Sequence, residues 1–305
     1  LLKSAFERFD KLSSAEHELR GVPTGFKSLD DILGGFQKSD LVILAARPSV
    51  GKTALALDIA RKTASLHGTP VGIFSLEMSS DQLVDRIVSA QSRVDSSVIR
   101  KGVRNQSGTW REDIFKNIST ALDDLSRTPI YIDDQAGNTI MKMRSAARKL
   151  KIEKGLKLLI VDYLQLMAPT NARAHDSMVQ QVTEISRGLK HLARELEIPV
   201  IALSQLSRAV ESRGDGKGRP KLSDLRDSGS IEQDADLVMF IHADQDDIRD
   251  EGGKIKDVQR KTLIVAKHRN GPLGEVVLDY HTRHNTFVEI DYSNYGKADE
   301  EFKNF

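Results

Sequence analysis

The chain has 305 residues, which is long enough for one large domain or two small ones with a substantial buried core. Its 45 Lys and Arg residues are balanced by 44 Asp and Glu residues, so no global basic excess indicates nucleic acid, and any DNA site must be a local patch. The lack of cysteine excludes disulfides, thiolate catalysis and cysteine-ligated zinc. The chain also lacks an apolar run of roughly 18 residues, which argues against a membrane span. We therefore expect a soluble, cytoplasmic protein without membrane contacts.

The first predicted element is an amphipathic helix, or arm, at residues 1–20. Its apolar residues recur near helical spacing and leave the charges elsewhere: Leu2, Ala5, Phe6, Phe9 and Leu12. A helix with such a stripe needs a surface to pack on, either on its own domain or on another molecule. Residues 21–305 are predicted to form one domain. The start without methionine suggests a fragment of a longer chain.

From residue 21 onward, apolar segments rich in β-forming residues alternate with helical segments. The predicted strands are Leu41–Ala46, Val71–Leu76, Ile130–Ile132, Leu156–Asp162, Pro199–Ser204, Leu237–His242 and Leu263–Lys267. The predicted helices are Thr53–Ser65, Asp81–Val94, Trp110–Leu125, Thr139–Glu153 and Ser177–Leu196. This order predicts an α/β fold with a mostly parallel sheet flanked by helices, followed by a hairpin of Glu275–Tyr280 and Thr286–Ile290.

A phosphate-binding loop, residues 46–53 (ARPSVGKT), follows the first of these strands and opens a helix. Backbone N–H groups of such a loop form a concave donor site for phosphate oxygens, so ATP is the first hypothesis and a chance Gly-Lys-Thr is the alternative. The predicted nucleotide-binding residues are Ser49, Gly51, Lys52, Thr53 and Ala54. Lys52 is expected to reach the β- and γ-phosphates, and the Thr53 hydroxyl to bind Mg²⁺. Ala46 replaces the usual first glycine, which requires a negative φ there.

Two acids follow predicted strands of the same sheet. Asp162 ends the apolar run 158–161 and is expected to hold Mg²⁺ directly or through water, although an acid can also simply cap a strand. Glu77 follows the strand residues 74–76 and is the predicted catalytic base, which orients or deprotonates the attacking water. The alternative for Glu77 is an acid favoured by the dipole of the next helix.

Three polar residues follow later strands. The amide of Gln205 is placed to sense the γ-phosphate and signal its loss to neighbouring loops. Lys267 and Arg269 precede the turn 270–272, where cations can cross a subunit boundary and stabilise charge on the phosphate. The simpler interpretation of Gln205 alone is an ordinary polar residue at the end of a strand. The simpler interpretation of Lys267 and Arg269 alone is a pair of solvated surface cations.

Five strings of the sequence carry a family resemblance. They are FSLEM (74–78), DYLQL (162–166), LSQLSR (203–208), DLRDSGSIEQDAD (224–236) and KHRNGP (267–272). In this order and spacing they resemble the C-terminal motor domain of DnaB-type replicative DNA helicases, which are ring-forming RecA-like P-loop ATPases. The opening segment GVPTGF (21–26) is common to the wider RecA-like class. The resemblance extends from residue 21 to about residue 290.

This resemblance implies an ATP- and Mg²⁺-dependent DNA helicase. Lys52, Glu77, Gln205 and Arg269 are its implied catalytic residues, with Lys267 and Arg269 acting on the nucleotide of a neighbouring subunit. The family forms homo-hexameric rings that encircle single-stranded DNA and move 5′ to 3′, and primase and a helicase loader are expected partners. Residues 1–20 match the family's linker helix, and the collar domain that precedes it is expected to be absent from this chain.

A local basic excess marks the predicted DNA site. Residues 208–226 hold six basic and three acidic side chains, and the segment is rich in glycine, which suits contacts to a phosphate backbone. The resemblance places DNA-binding residues at Arg226, Asp227 and Gly229, with Asp227 where glutamate is more frequent. Arg86 matches a further DNA-contacting position. A solvated loop is the alternative.

Two other functions remain open from the residues. A RecA- or RadA-like recombinase shares the opening segment, the phosphate loop and single-strand binding, but the five strings argue against it. A nucleotide-gated DNA-binding ring with little turnover would not need a well-placed base, so Glu77 argues against that alternative.

Overall fold

The computed structural model describes residues 19–102, 111–135, 139–162, 164, 167, 178–207, 210, 218–225, 229–250 and 252–290. Its α-helices are α1 (Lys27–Leu33), α2 (Lys52–His67), α3 (Ser80–Ser92), α4 (Ser96–Lys101), α5 (Glu112–Ser126), α6 (Ile140–Lys154), α7 (Met178–Leu196), α8 (Gly229–Asp234) and α9 (Gln245–Ile248). A 3₁₀ turn spans Leu222–Asp224. Among the described residues, no helix combines the length and apolarity that crossing a membrane requires. The predicted linker helix lies, apart from its last residues, outside the described ranges and stays a prediction.

Nine strands form one sheet. They are β1 (Leu41–Ala46), β2 (Val71–Ser75), β3 (Ile130–Asp133), β4 (Leu158–Asp162), β5 (Val200–Gln205), β6 (Leu237–His242), β7 (Val258–His268), β8 (Gly274–His281) and β9 (Thr286–Glu289). Their order is β3-β2-β4-β5-β1-β6-β7-β8-β9. The first six of these run parallel and the last three antiparallel, so the predicted mostly parallel α/β fold with a closing hairpin is confirmed.

The sheet is buried on both faces, because apolar side chains of each parallel strand alternate between two cores. In β1, the side chains of Val42 and Leu44 pack in the core that includes α1, α2 and α3. Leu41 and Ile43 pack in the opposite core, with α6 and α7. The continuous apolar run in β1 therefore reflects burial on two sides. Because these strands are parallel neighbours, the carboxyl ends of β1, β2, β4 and β5 also lie together at one edge of the sheet.

At the opposite edge of the sheet, a buried cluster of charges fixes the start of β1. Asp236 Oδ2 accepts hydrogen bonds from the backbone N–H of Leu41 (2.8 Å) and from Lys190 Nζ (2.5 Å). Arg269 Nη1 donates to Asp236 Oδ1 (3.2 Å). Asp40 is also buried here, and desolvation together with the charge of Asp236 raises its pKa to about 6.

We expect Asp40→Asn to stabilise the protein at neutral pH. A carboxyl whose pKa is higher in the folded than in the unfolded state favours folding when protonated, and this contribution is lost as pH rises from about 4 through about 6. The neutral amide avoids that loss, which corresponds to at most about 2–3 kcal/mol at pH 7. Thermal unfolding of both proteins at pH 4.5 and pH 7 should show a gap in Tm that is wider at pH 7.

The exposed Asp31 on α1 provides the matched control for this prediction. Asp31→Asn should leave the pH dependence of Tm as it is in the parent protein. If Asp40→Asn lowered Tm at pH 7, then the attraction of Asp40 to Lys190 and Arg269 would outweigh its desolvation, and our interpretation of this cluster would be wrong.

Candidate functional site

The phosphate loop joins β1 to α2 at the carboxyl edge of the sheet. Two residues of its backbone are left-handed, with φ of 65° at Ser49 and 110° at Gly51, and α2 begins at Lys52. Such a backbone turns successive N–H groups toward one concave side, which suits an anion. Ala46 is the last residue of β1 and is not among the residues with positive φ, so the backbone accepts its methyl group.

Gly51 is required by both conformation and space. Its φ of 110° disfavours any side chain, and a Cβ there would lie 3.1 Å from the Cζ atom of Phe287 on β9. The closing hairpin therefore packs directly against the phosphate loop, although the two segments lie far apart along the chain.

Lys52, Thr53 and Asp162 meet where the loop enters α2. Thr53 Oγ1 donates to Asp162 Oδ2 (2.8 Å), and Lys52 Nζ lies 3.8 Å from Asp162 Oδ1. Burial lowers the pKa of Lys52, and the charges of Asp162 and Glu77 oppose that shift. The fold thus brings together a cation, a hydroxyl and a buried carboxylate that belong to distant parts of the sequence.

The arrangement of Asp162 and Thr53 fits a magnesium ion. Asp162 is buried, and within the described part of the chain its Oδ1 accepts no hydrogen bond and has only the more distant Lys52 ammonium, at 3.8 Å, beside it. A buried carboxylate oxygen without a donor is costly unless another group satisfies it. The described residues contain no cluster of three His, Cys, Asp or Glu side chains able to hold a metal. Mg²⁺ suits such a place, because it is often held by one carboxylate together with water and substrate phosphates.

Glu77 lies in the turn that joins β2 to α3. The Ser75 hydroxyl donates to the Met78 carbonyl (2.6 Å), which fixes this turn, and Ser79 caps α3 through a capping box with Gln82. The cap of α3 is therefore supplied by Ser79, so capping does not explain the exposed Glu77. Glu77 lines one cavity together with Lys52 and the loop residues, so it lies beside the phosphate loop.

One cavity of about 370 Å³ joins most of the predicted nucleotide residues. Its walls include eight of the predicted site residues, namely Ser49, Gly51, Lys52, Thr53, Ala54, Glu77, Arg86 and Gln205. Asp162 does not line it but accepts the hydrogen bond of Thr53. Arg86, predicted to contact DNA, thus lines the same cavity as the phosphate loop, and its contact with DNA stays a prediction.

Gln205 is connected through its neighbour to both the phosphate loop and the predicted DNA segment. The Leu206 N–H donates to the Ala46 carbonyl (3.1 Å), and Arg47 Nη1 donates to the Leu206 carbonyl (2.9 Å). Leu206 also forms a β-bridge with Leu225. The end of β5 is therefore joined to residue 225 by backbone pairing.

Part of the predicted DNA segment can be located. Gly229 is exposed and begins α8, whereas Arg226 and Asp227 lie outside the described residues. Among the basic residues between 208 and 226, Arg219 and Lys221 are described, and Arg219 pairs with Glu275 of β8 (2.8 Å). The DNA contacts of this segment stay predictions.

Lys267 and Arg269 lie at the other edge of the sheet. Arg269 N donates to the carbonyl of Asp236, whose own N–H donates to the carbonyl of Leu41 at the start of β1. The phosphate loop begins at the opposite end of the same strand, so neither cation lines the cavity of its own chain. Both cations therefore lie away from the phosphate loop of their own chain, and their action on the nucleotide of a neighbouring subunit stays a prediction.

Sequence reasoning missed several residues around the phosphate loop. Tyr280 and Asn285 line the cavity from the hairpin, Arg47 bonds to Leu206, and Lys261 lies beneath the loop. Arg47 stands within the phosphate-loop motif and could have been noted. The other three come from the C-terminal strands and their turn, and no local pattern indicated their contact with the loop.

Comparison with known proteins decides the family. A family model described as the DnaB-like helicase C terminal domain matches residues 21–289, which is most of the chain. The chain belongs to the DnaB-like helicase C-terminal domain family. It is 44% identical over 291 residues to a replicative DNA helicase of Bacillus subtilis, covering 95% of this chain and 61% of that protein. A replicative DNA helicase of Geobacillus stearothermophilus gives the same identity and coverage.

Solved structures agree with the DnaB-like assignment and confirm the RecA-like ATPase fold. The structure described as a DnaB-like replicative helicase and its interactions with primase matches with a TM-score of 0.83 and 37% identity over 95% of this chain and 67% of that chain. A second solved structure, described as an ATPase domain, matches with a TM-score of 0.83 and 36% identity over 95% of this chain and 98% of that chain. The DnaB-like assignment disfavours the recombinase alternative and implies use of a nucleotide. The chain spans about three fifths of the length of the curated relatives.

Proposed function

We propose that this chain is the motor domain of a replicative DNA helicase, which hydrolyses ATP between adjacent subunits of a hexameric ring and moves 5′ to 3′ along single-stranded DNA. The observation that carries this proposal is the cavity that Lys52, Thr53 and Glu77 line together, with Asp162 in contact with both Lys52 and Thr53. Replicative helicases are the relatives that share most of this chain.

Each residue of the cavity receives a specific role. The backbone from Ser49 to Ala54 binds the phosphates, and Lys52 neutralises their charge. Glu77 orients the attacking water and accepts its proton. Thr53 and Asp162 hold Mg²⁺, which when bound neutralises charge on the phosphates.

A second subunit completes the site. Lys267 and Arg269 lie at the edge of the sheet opposite the phosphate loop, so in a ring of identical subunits they meet the nucleotide of a neighbour. Arg269 stabilises the charge that develops on the transferred phosphoryl group, and Asp236 and the Gln233 carbonyl orient its guanidinium.

Hydrolysis is coupled to DNA through the end of β5. Loss of the γ-phosphate releases Gln205, and the pairing of Leu206 with Leu225 passes the displacement to Arg226. Arg226, Asp227, Gly229 and Arg86 are the proposed DNA-binding residues. Contacts to the phosphate backbone make this binding tolerant of sequence and sensitive to salt.

Further partners follow from the relatives. A structural neighbour is a DnaB-like replicative helicase described with its interactions with primase, so we propose primase as a partner of the complete protein. A helicase loader is proposed from the family resemblance alone. A linker helix at residues 1–20 would connect this domain to a preceding one and dock on the adjacent subunit. We also propose that the complete protein acts in the cytoplasm.

The proposal is tested by strand separation of a forked duplex with ATP and Mg²⁺. We expect unwinding only when the fork carries a 5′ single-stranded tail, together with hydrolysis that single-stranded DNA stimulates. A fork with only a 3′ tail is the matched control. Hydrolysis that single strands do not stimulate, or unwinding from the 3′ tail alone, would contradict the proposed motor.

A further inference from the structure

Lys261 is a buried lysine beneath the phosphate loop. It lies on β7, only 2% of its surface is accessible, and its Nζ donates to the carbonyl of Val50 (2.6 Å). Val50 is the residue before Gly51 in the loop. The contact joins a strand near the end of the chain to the loop 211 positions earlier.

The surroundings of Lys261 do not neutralise its charge. Its ammonium lies 4.9 Å from the centre of the Tyr280 ring, and no carboxylate among the described residues forms an ion pair with it. Burial alone lowers its pKa to about 8. A buried cation costs several kcal/mol unless it is paired, so a hydrogen bond to one carbonyl and the face of one ring only partly offset this cost.

The hydrogen bond from Lys261 to the Val50 carbonyl places Lys261 on the side of the loop opposite the expected phosphates. The N–H groups of a phosphate loop turn toward the anion, and carbonyls on its reverse side face the protein. Lys261 satisfies the Val50 carbonyl on that reverse side, immediately before the left-handed Gly51. Phosphates bound in front of the loop would thus be separated from the Lys261 ammonium by the loop backbone.

We propose that Lys261 is a positioning residue of the nucleotide site. Its ammonium holds the Val50 carbonyl, so that the phosphate loop keeps the shape that binds phosphate. The bound triphosphate in turn supplies the negative charge that the surroundings of Lys261 lack. This inference rests on the proposed binding of nucleotide at the same loop. Lys261 does not touch the phosphates in this arrangement and acts through the loop backbone.

A reciprocal effect follows from this coupling. If the triphosphate favours the charged form of Lys261, then protonation of Lys261 favours the triphosphate equally, and binding near pH 8 takes up protons. Other ionisable groups nearby are Tyr280 on β8, whose pKa burial raises, and the two charged groups that act on Tyr280, Asp58 on α2 and Arg86 on α3. Lys52 follows the loop at the start of α2. A difference between the parent protein and a Lys261 variant isolates the contribution of Lys261 from theirs.

The test compares Lys261→Met with the parent protein, with Lys254→Met at an exposed lysine and with Lys52→Ala. Calorimetric titration with a nonhydrolysable ATP analogue and Mg²⁺ at pH 8, in two buffers of different ionisation enthalpy, gives both Kd and proton uptake. We expect Lys261→Met to raise Kd about tenfold, the effect of roughly one charge-assisted hydrogen bond, and to reduce proton uptake. Without nucleotide its Tm should stay the same or rise, because a buried charge is removed.

The outcomes separate this inference from the proposed function. Unchanged Kd and proton uptake in Lys261→Met, with binding lost in Lys52→Ala, would overturn the role of Lys261 alone. A lower Tm with weaker binding but unchanged proton uptake would show that Lys261 only stabilises the fold, and would likewise overturn its proposed role. If Lys52→Ala also bound the analogue normally, both the nucleotide site and this inference would be wrong.

Discussion

Replacing Arg269 by alanine should lower ATP hydrolysis at least about 10³-fold, the range for removal of an arginine that stabilises a transferring phosphoryl group. Arg269 lies at the edge of the sheet away from its own phosphate loop, where Asp236 and the Gln233 carbonyl hold it. The loss should therefore appear in the turnover of assembled rings and leave the affinity of a single subunit for nucleotide nearly unchanged. Steady-state hydrolysis and nucleotide titration measure the two quantities.

Mixing of two inactive variants tests whether the site is shared. A subunit with Arg269→Ala keeps Glu77, and a subunit with Glu77→Gln keeps Arg269, so an interface that combines the two intact residues is competent. In a random equal mixture, half of the subunits bring an intact Glu77 to an interface and half of their neighbours bring an intact Arg269. About one interface in four therefore combines both intact residues. Partial recovery of hydrolysis is expected. No recovery in mixed rings of normal mass, or unchanged hydrolysis in Arg269→Ala, would contradict a site between subunits.

Glu77→Gln should reduce the rate of hydrolysis by about 10²- to 10⁴-fold, because the amide keeps the shape of the side chain but cannot accept a proton. Nucleotide binding should persist, since Lys52, Thr53 and Asp162 remain in place. The variant should also retain the Tm of the parent protein, because Glu77 is exposed and the cap of α3 is supplied by Ser79. Single-turnover hydrolysis with prebound nucleotide separates the chemical step from binding.

Asp81→Asn is the matched control for Glu77→Gln. It removes a carboxylate from the first turn of α3, the helix that follows Glu77, and Asp81 does not line the cavity. Its turnover should stay within about twofold of the parent, as expected for a surface substitution. Unchanged turnover in Glu77→Gln would remove Glu77 as the base and favour a nucleotide-gated ring with little hydrolysis.

Most of the sheet could be predicted from the sequence, because its parallel strands are continuous apolar runs bounded by helical segments. Leu41–Ala46 and Leu237–His242 were predicted with the bounds that the structure has. β7 was predicted from Leu263 but begins at Val258. The charged residues Arg260 and Lys261 concealed its first half, and only the tertiary contact of Lys261 with Val50 explains why a lysine occupies a buried position there.

The short helices were the least predictable elements. No pattern in the sequence predicted α1, α4, α8 or α9, which have between four and seven residues. Helices of one or two turns have too few residues to show a periodic apolar stripe, and packing on neighbouring elements rather than local propensity stabilises them.

The sequence by itself determined the family, the order of the strands along the chain and the residues of the phosphate loop, because these depend on local patterns and on motifs of fixed spacing. It also placed Glu77, Asp162 and Gln205 at strand ends. Only the tertiary structure decided that Glu77 and Gln205 share one cavity, that Arg269 lies at the opposite edge, and that the C-terminal strands pack beneath Gly51. The physical reason is that strand order in the sheet and the burial of Lys261 arise from contacts between distant segments, which no local pattern contains.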